Sequence, residues 1–200
     1  QFGIDKLHIV SEQAISGAGY PGVASLDILD NIVPYVPSDE GKMETETLKM
    51  LGEYHNGVVK HLSAVVGATA TRVPVLDGHL INVSLSLTDK PSLEAIQTAW
   101  TAYRGDSKEV AALPSAPEYP VQYLSQVDRP QPRRDRMAGQ GMTTSIGRLR
   151  ECPILGYKFA ALSHNTIRGA AGCSILNAEL LAVHGYIADF QPHQPSEVTI

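Results

Sequence analysis

The sequence is poor in cysteine, in aromatic residues and in charge of either sign. Its 200 residues include two cysteines, 6% aromatic residues and 18% charged residues. Two cysteines cannot form the disulfide framework of a small secreted domain. Cys152 and Cys173 also lack metal-ligand spacing to each other or to a histidine pair. We therefore expect no metal site, and a reducing, cytoplasmic compartment.

Long apolar runs and an excess of basic charge are missing as well. No apolar run approaches the roughly 18 residues of a transmembrane helix. The formal net charge of −5 disfavours a protein that binds phosphate backbones. We expect neither a membrane nor a nucleic-acid partner. Residues 1–10 lack a secretory signal and an initiator methionine, so we expect the sequence to start within a longer protein.

Apolar residues make up 43% of the chain, enough for the core of one large domain. Their spacing favours an α+β fold over residues 1–187, with one sheet and helices on one face. Residues 188–200, with two prolines among polar residues, are expected to be a disordered tail. The predicted strands are 6–13, 63–75, 80–87, 120–124, 142–150 and 155–162, and the predicted helices are 25–32, 39–54, 92–103 and 169–183.

Arg72 and His79 flank a turn that contains Asp77 and Gly78. The odd separation would put them on opposite faces of an ideal strand, but Pro74 and the turn interrupt the strand, so both side chains could enter one cleft. Arginine can grip a carboxylate and histidine can move protons near neutral pH. The alternative is a hairpin with a solvent-facing arginine and a turn-capping histidine.

Two further segments carry possible binding groups. Lys42 with Asp39 and Glu40 could border a polar pocket, or belong to a solvated helix face. Residues 164–172 form a strand-to-helix junction that ends in small residues. Free amides at a helix start favour anionic or carbonyl ligands, although tight helix packing would need small residues equally. The junction has the spacing of neither a P-loop nor a dinucleotide fingerprint.

Taken together, the segments resemble the C-terminal part of the aspartate-semialdehyde dehydrogenase family, in its fungal and archaeal-like branch. The resemblance covers roughly residues 7–187, in the family's order. It implies a mixed, largely antiparallel sheet like that of the C-terminal domain of glyceraldehyde-3-phosphate dehydrogenase. The matching segments are QAISGAGYPG at 13–22, DEGKMETE at 39–46, RVPVLDGH at 72–79, DRPQPR at 128–133 and HNTIRGAAG at 164–172.

The resemblance implies an NADP-dependent reaction, the reductive dephosphorylation of 4-phospho-L-aspartate to L-aspartate-4-semialdehyde through a cysteine thioester. It also implies a role for each matching residue. His79 would be the general acid/base and Gln13 a catalytic residue beside the reacting centre. The substrate-binding residues would be Arg72 for the α-carboxylate, Lys42 for phosphate, and Asp39 or Glu40 for the amino group. The residues near the cofactor would be Ser16, Gly17, Asn165 and Gly169.

The family's N-terminal half carries a Gly-rich dinucleotide loop and an Asn-Cys nucleophile, and neither occurs in this sequence. We expect NADP to bind mainly to that half, and these 200 residues to fold without turning over. Glu12 stands where an apolar residue is expected, which predicts a disturbed first strand. Association as a homodimer or homotetramer is implied. The alternatives are a non-catalytic dimerisation module and a related acyl-phosphate reductase.

Overall fold

The computed structural model describes residues 1–187, so the predicted disordered tail lies outside the described residues. The strands are β1 Ile4–Gln13, β2 Glu53–His55, β3 Val58–Lys60, β4 Val65–Arg72, β5 His79–Leu87, β6 Val121–Leu124, β7 Thr144–Cys152 and β8 Gly156–Ser163. The helices are α1 Ser25–Ile28, α2 Asp39–Met50, α3 Leu93–Ala102, α4 Lys108–Ala111, α5 Pro132–Asp135 and α6 Gly172–Val183. Short 3₁₀ turns span Ile15–Ala18 and Ala138–Gly141, and a π-helical turn, Ile167–Ala171, precedes α6.

Six strands form one mixed sheet in the order β4-β1-β5-β8-β7-β6. The pairings β1–β5, β5–β8 and β7–β8 are antiparallel, whereas β1–β4 and β6–β7 are parallel. The predicted α+β class is therefore confirmed. The parallel pairing of β1 with β4 places the last residues of both strands at the same end of the sheet, which matters for the site described below.

Helix α3 covers one face of the sheet. It begins after Ser92, whose hydroxyl accepts a hydrogen bond from the Ala95 N–H at 3.1 Å and caps the helix. The Trp100 ring meets Phe159 of β8 edge to face, with 5.0 Å between ring centroids. Ile96 is buried on the same side of the helix. The apolar side of α3 thus supplies part of the core, as its spacing predicts.

Helix α2 takes a different position from the one expected over a sheet face, because it lies along the outer edge of β4. It also ends at Met50, earlier than the predicted 54, since β2 and β3 pair as a small hairpin. Both residues of the Asn56–Gly57 turn have positive φ, 48° and 84°. Asn-Gly is the strongest short-range signal for a β-hairpin, and the prediction of a helix over residues 39–54 did not take it into account.

Strand β1 is intact at Glu12, so the predicted disturbance is wrong. Glu12 pairs with Thr71 on one side and Leu80 on the other. Its carboxylate accepts a hydrogen bond from the Asn82 side chain at 3.2 Å, and burial raises its pKa. Within residues 1–187, no helix has the length and apolar character needed to cross a membrane.

Candidate active site

Three neighbouring strands of the main sheet start or finish at the same end of the sheet. Strand β1 ends at Gln13 and β4 ends at Arg72, and these two residues are paired in register. The antiparallel β5 begins at His79 on the other side of β1. The sheet therefore brings Arg72 and His79 to either side of Gln13, on neighbouring strands.

The side chains of Arg72 and His79 converge on Gly17, in the 3₁₀ turn that follows β1. A Cβ built on Gly17 would lie 2.9 Å from Arg72 Nη1 and 3.1 Å from His79 Nε2. The two side chains thus lie close together, as the expectation of a shared cleft requires. The rule that an odd separation puts two residues on opposite faces of a strand does not apply to this pair, because the two residues belong to different strands.

The imidazole of His79 is held by the backbone of Ala14. Its Nδ1 accepts a hydrogen bond from the Ala14 N–H at 3.1 Å, which leaves the ring proton of the neutral form on Nε2. Burial and, to a lesser extent, the Arg72 cation lower the pKa of His79 to about 4, although the Asp39 carboxylate acts in the opposite direction. His79 is therefore neutral at pH 7 and presents an N–H donor from Nε2.

Arg72 is almost fully buried, at 7% exposure. Its Nη1 donates a hydrogen bond to the Ala14 carbonyl at 2.7 Å. Burial lowers the pKa of the guanidinium, while the Asp39 carboxylate counteracts the shift. Ala14 itself is fully buried and serves both side chains through its backbone. The sequence could not reveal this role, since backbone groups carry no residue-type signal.

The two acids at the start of α2 take separate positions. Asp39, and not Glu40, lies with Gln13, Arg72 and His79 in a group that we call the cluster. Asp39 accepts a hydrogen bond from the buried Gln13 side chain at 2.8 Å. Glu40 instead accepts from the Ala70 N–H at 3.0 Å, on the edge of β4. Lys42 lies one turn further along and is exposed. A cleft of about 400 Å³, lined in part by Gly17, Asp39 and Arg72, opens beside the cluster.

Asn165 ties the 3₁₀ turn to the turn before His79. Its side-chain oxygen accepts from the Gly78 N–H at 2.8 Å, and its amide donates to Ser16 Oγ at 2.8 Å. Gly169, in the π-helical turn, donates its N–H to the His164 carbonyl at 3.0 Å and is exposed. Ser16, Gly17 and Asn165 therefore lie together beside His79, and Gly169 belongs to the adjoining turn.

The two cysteines lie in other parts of the fold. Cys152 is buried at the end of β7, where backbone N–H groups of Leu155 and Ile154 lower the pKa of its thiol. Cys173 lies in α6, 2.9 Å from Arg168 Nη1. Neither hydrogen-bonds to His79. Among residues 1–187, no three His, Cys, Asp or Glu side chains are grouped as metal ligands would be.

The cluster brings a buried cation, a carboxylate and a neutral imidazole together beside Gly17. A guanidinium recognises a carboxylate, and a carboxylate recognises an ammonium group. The arrangement suits a small amino acid, and the Nε2 N–H of His79 is a donor that a reacting group could use.

Known proteins resemble this chain over most of its length. Residues 1–168 match the family described as semialdehyde dehydrogenase, dimerisation domain. The aspartate-semialdehyde dehydrogenase of Aspergillus fumigatus is 44% identical over 94% of this chain and 54% of its own length. That of Methanothermobacter thermautotrophicus is 46% identical over 90% of this chain and 52% of its own length. The chain therefore spans about half the length of the curated relatives it matches.

Solved structures share the fold. Aspartate semialdehyde dehydrogenase with NADP from Candida albicans superimposes with a TM-score of 0.84 at 41% identity, over 94% of this chain and 53% of that one. Aspartate semialdehyde dehydrogenase II from Vibrio cholerae, at 22% identity, gives a TM-score of 0.70 over 93% of this chain and 57% of that one. These matches confirm the resemblance drawn from the five motifs.

Proposed function

The chain belongs to the semialdehyde dehydrogenase family, and we propose that it is the catalytic and dimerisation half of an aspartate-semialdehyde dehydrogenase. The proposed reaction is the NADP-dependent reductive dephosphorylation of 4-phospho-L-aspartate to L-aspartate-4-semialdehyde. This reaction serves the synthesis of lysine, threonine, methionine and isoleucine. The single observation that carries the proposal is the convergence of Arg72 and His79 on Gly17, with Asp39 beside them.

The substrate would be gripped at both ends of its amino-acid portion. We assign the α-carboxylate to Arg72 and the ammonium group to Asp39, because opposite charges with matching donors and acceptors give orientation as well as affinity. Lys42, exposed at the start of α2, would bind phosphate as a point charge. Gln13, held by Asp39 at 2.8 Å, would line the reacting centre between the two grips.

His79 would act from Nε2. A neutral imidazole with Nδ1 engaged by Ala14 offers its N–H to an oxygen on which negative charge develops. Binding of an anion, such as a thiolate or an acyl phosphate, raises the pKa of a neighbouring histidine and favours proton transfer. The reacting thiolate is assigned to an Asn-Cys motif in an N-terminal half, since Cys152 and Cys173 lie in other parts of the fold.

Ser16, Gly17, Asn165 and Gly169 fit the reactive end of a nicotinamide cofactor, because three of them border His79 and the fourth lies in the adjoining turn. In the reductive direction, NADPH would supply the hydride. Its remaining parts are assigned to the N-terminal half, where a Gly-rich loop would hold the pyrophosphate. The residues of this chain would therefore orient the ring end and exclude water there.

We also propose that the chain forms a homodimer or homotetramer and works in the cytoplasm. The match to a dimerisation domain supports association. Sedimentation at micromolar concentration should give a dimer or a larger species, and a monomer would contradict this part of the proposal.

The activity can be tested by joining this chain to the N-terminal half of the Aspergillus fumigatus relative, a protein called below the reconstituted enzyme. It should form NADPH from aspartate-4-semialdehyde, phosphate and NADP. The chain alone should not, and reconstituted His79→Ala should lose kcat by about 10³-fold. Turnover by the chain alone at an enzymatic rate would overturn the assignment of nucleophile and cofactor to another segment.

A second candidate is a non-catalytic dimerisation module, favoured by the absence of a cysteine bonded to His79 among the described residues. A reconstituted enzyme that dimerises but forms no NADPH would select it. A related acyl-phosphate reductase is the third. Asp39 argues against this third candidate, because only a substrate with an amino group needs that carboxylate; preference for a substrate that lacks the amino group would select it.

A further inference from the structure

The outer edge of β4 is closed by a series of hydrogen bonds from one short stretch of chain. In a sheet, alternate N–H groups of an edge strand point away from the sheet and need partners. On β4 all three such groups from residue 68 onward are satisfied by residues 33–44. The pairs are Ala68 N–H to Glu44 Oε1 at 3.1 Å, Ala70 N–H to Glu40 Oε1 at 3.0 Å and Arg72 N–H to the Val33 carbonyl at 2.8 Å.

The two glutamates fit the strand because four residues of a helix and two residues of a strand span nearly the same distance. Glu40 and Glu44 are four residues apart on a helix, a rise of about 6 Å. Ala68 and Ala70 are two residues apart on a strand, a rise of about 6.6 Å. Two carboxylates at this helical spacing can therefore reach two successive outward N–H groups of a strand that runs in the opposite direction.

Apolar packing alone does not explain how α2 is held. None of its twelve residues is buried, so it contributes no side chain to the closed core. Hydrogen bonds from a backbone N–H to a charged carboxylate are among the stronger ones in proteins. Together with the hydrogen bond from Gln13 to Asp39, the two glutamates provide the side-chain hydrogen bonds that dock this helix on the sheet.

Docking of α2 sets the position of the substrate-binding groups. Asp39 immediately precedes Glu40, and β4 ends at Arg72 two residues beyond Ala70. We propose that Glu40 and Glu44 are positioning residues, whose carboxylates fix α2 on the edge of β4 and thereby set the separation of Asp39 from Arg72. The kinetic consequence of this proposal rests on the proposed function; its structural part does not.

The first test uses NMR on the 200-residue chain and needs no activity. In Glu40→Ala, the amide of Ala70 should exchange with solvent about tenfold faster, and the side-chain amide resonance of Gln13 should shift, because Gln13 reports the position of Asp39. Glu40→Gln keeps an acceptor oxygen and should retain most of the protection. Glu46→Ala, an exposed change on the same helix, is the control. An unchanged Gln13 resonance in Glu40→Ala would overturn the proposal.

The second test uses the reconstituted enzyme. Glu40→Ala should raise KM for aspartate-4-semialdehyde about tenfold and change kcat less than threefold, with Glu40→Gln restoring most of the affinity. A Glu40→Ala enzyme with the same KM as Glu46→Ala would overturn the link to the substrate. If the unsubstituted reconstituted enzyme has no activity, the proposed function fails, and the NMR result alone decides whether the glutamates position Asp39.

Discussion

The backbone of Ala14 contacts His79 on one side, where its N–H donates to Nδ1 at 3.1 Å. The carbonyl of the same residue accepts from Arg72. A single buried peptide unit at the end of β1 therefore orients a proton-carrying group and a guanidinium together. Because the neutral imidazole must hold its proton on Nε2, the orientation of the ring and its tautomer are set by one contact.

The lowered pKa of His79 predicts how stability depends on pH. The folded chain holds this histidine with a pKa of about 4, against about 6.5 when unfolded. Between these values the unfolded chain binds a proton that the folded chain does not, so the free energy of unfolding falls as pH drops from about 6.5 towards 4. Urea unfolding at pH 7.5 and pH 4.5 should show this loss, and His79→Gln should reduce it by about 2 kcal/mol.

The exposed His61 supplies the control for this measurement. His61→Gln changes a histidine outside the cluster and should leave the difference between the two pH values as it is in the unsubstituted chain. An equal pH dependence in His79→Gln and in the unsubstituted chain would show that His79 is not held in its neutral form by the fold.

Gly17 should tolerate no side chain. In Gly17→Ala the new Cβ would lie 2.9 Å from Arg72 Nη1 and 3.0 Å from His79 Cε1, so both groups must move. We expect the reconstituted enzyme to lose kcat by at least about tenfold, because small misplacements at a reacting centre are costly. Gly41→Ala is the matched control, since nothing lies within 4 Å of its Cβ. It should stabilise α2 by about 1 kcal/mol, and a similar kcat in both variants would contradict the convergence on Gly17.

Much of the sheet could be predicted because its strands carry clear patterns. The alternation of 80–87 predicts β5, and Ser92 predicts the start of α3. The β2–β3 hairpin was missed because its strands are only three residues long, although Asn56–Gly57 signalled the turn. The position of α2 could not be read from periodicity, because its contacts to β4 are polar and join residues 24 and 30 positions apart.

The sequence predicted which side chains belong to the site, but not the strand register and the hydrogen bonds that bring them together. The motifs predicted Arg72 and His79 in one cleft, but their alignment through Gln13 depends on the register of three strands. The choice between Asp39 and Glu40 stayed open in the sequence, since adjacent acids at a helix start look alike. It depends on which carboxylate meets the Ala70 N–H. The role of Ala14 left no trace, because any residue could supply its backbone groups.

Replacement of Asn165 should lower both the free energy of unfolding and kcat. Asn165→Ala removes the acceptor for the Gly78 N–H and the donor to Ser16. Two lost hydrogen bonds should lower the free energy of unfolding by about 2 kcal/mol, and kcat of the reconstituted enzyme should fall about tenfold. Asn31→Ala, which removes an exposed hydrogen bond to Asp27, should have little effect on either quantity. Full stability in Asn165→Ala would mean that the two turns are held together by other contacts.

Arg72 and Asp39 should differ in how they respond to conservative replacement. In Arg72→Lys the ammonium group cannot both replace the Nη1 contact to the Ala14 carbonyl and present a planar fork to a carboxylate. We expect KM for aspartate-4-semialdehyde to rise about 100-fold and kcat to fall.

Asp39→Asn keeps an acceptor for Gln13 but loses the charge that would hold an ammonium group, so KM should rise with less change in kcat. Arg134→Ala, on the exposed surface of α5, is the control for general effects of lost charge. If Arg72→Lys kept the KM of Arg134→Ala, the substrate carboxylate would have to bind to a residue other than Arg72.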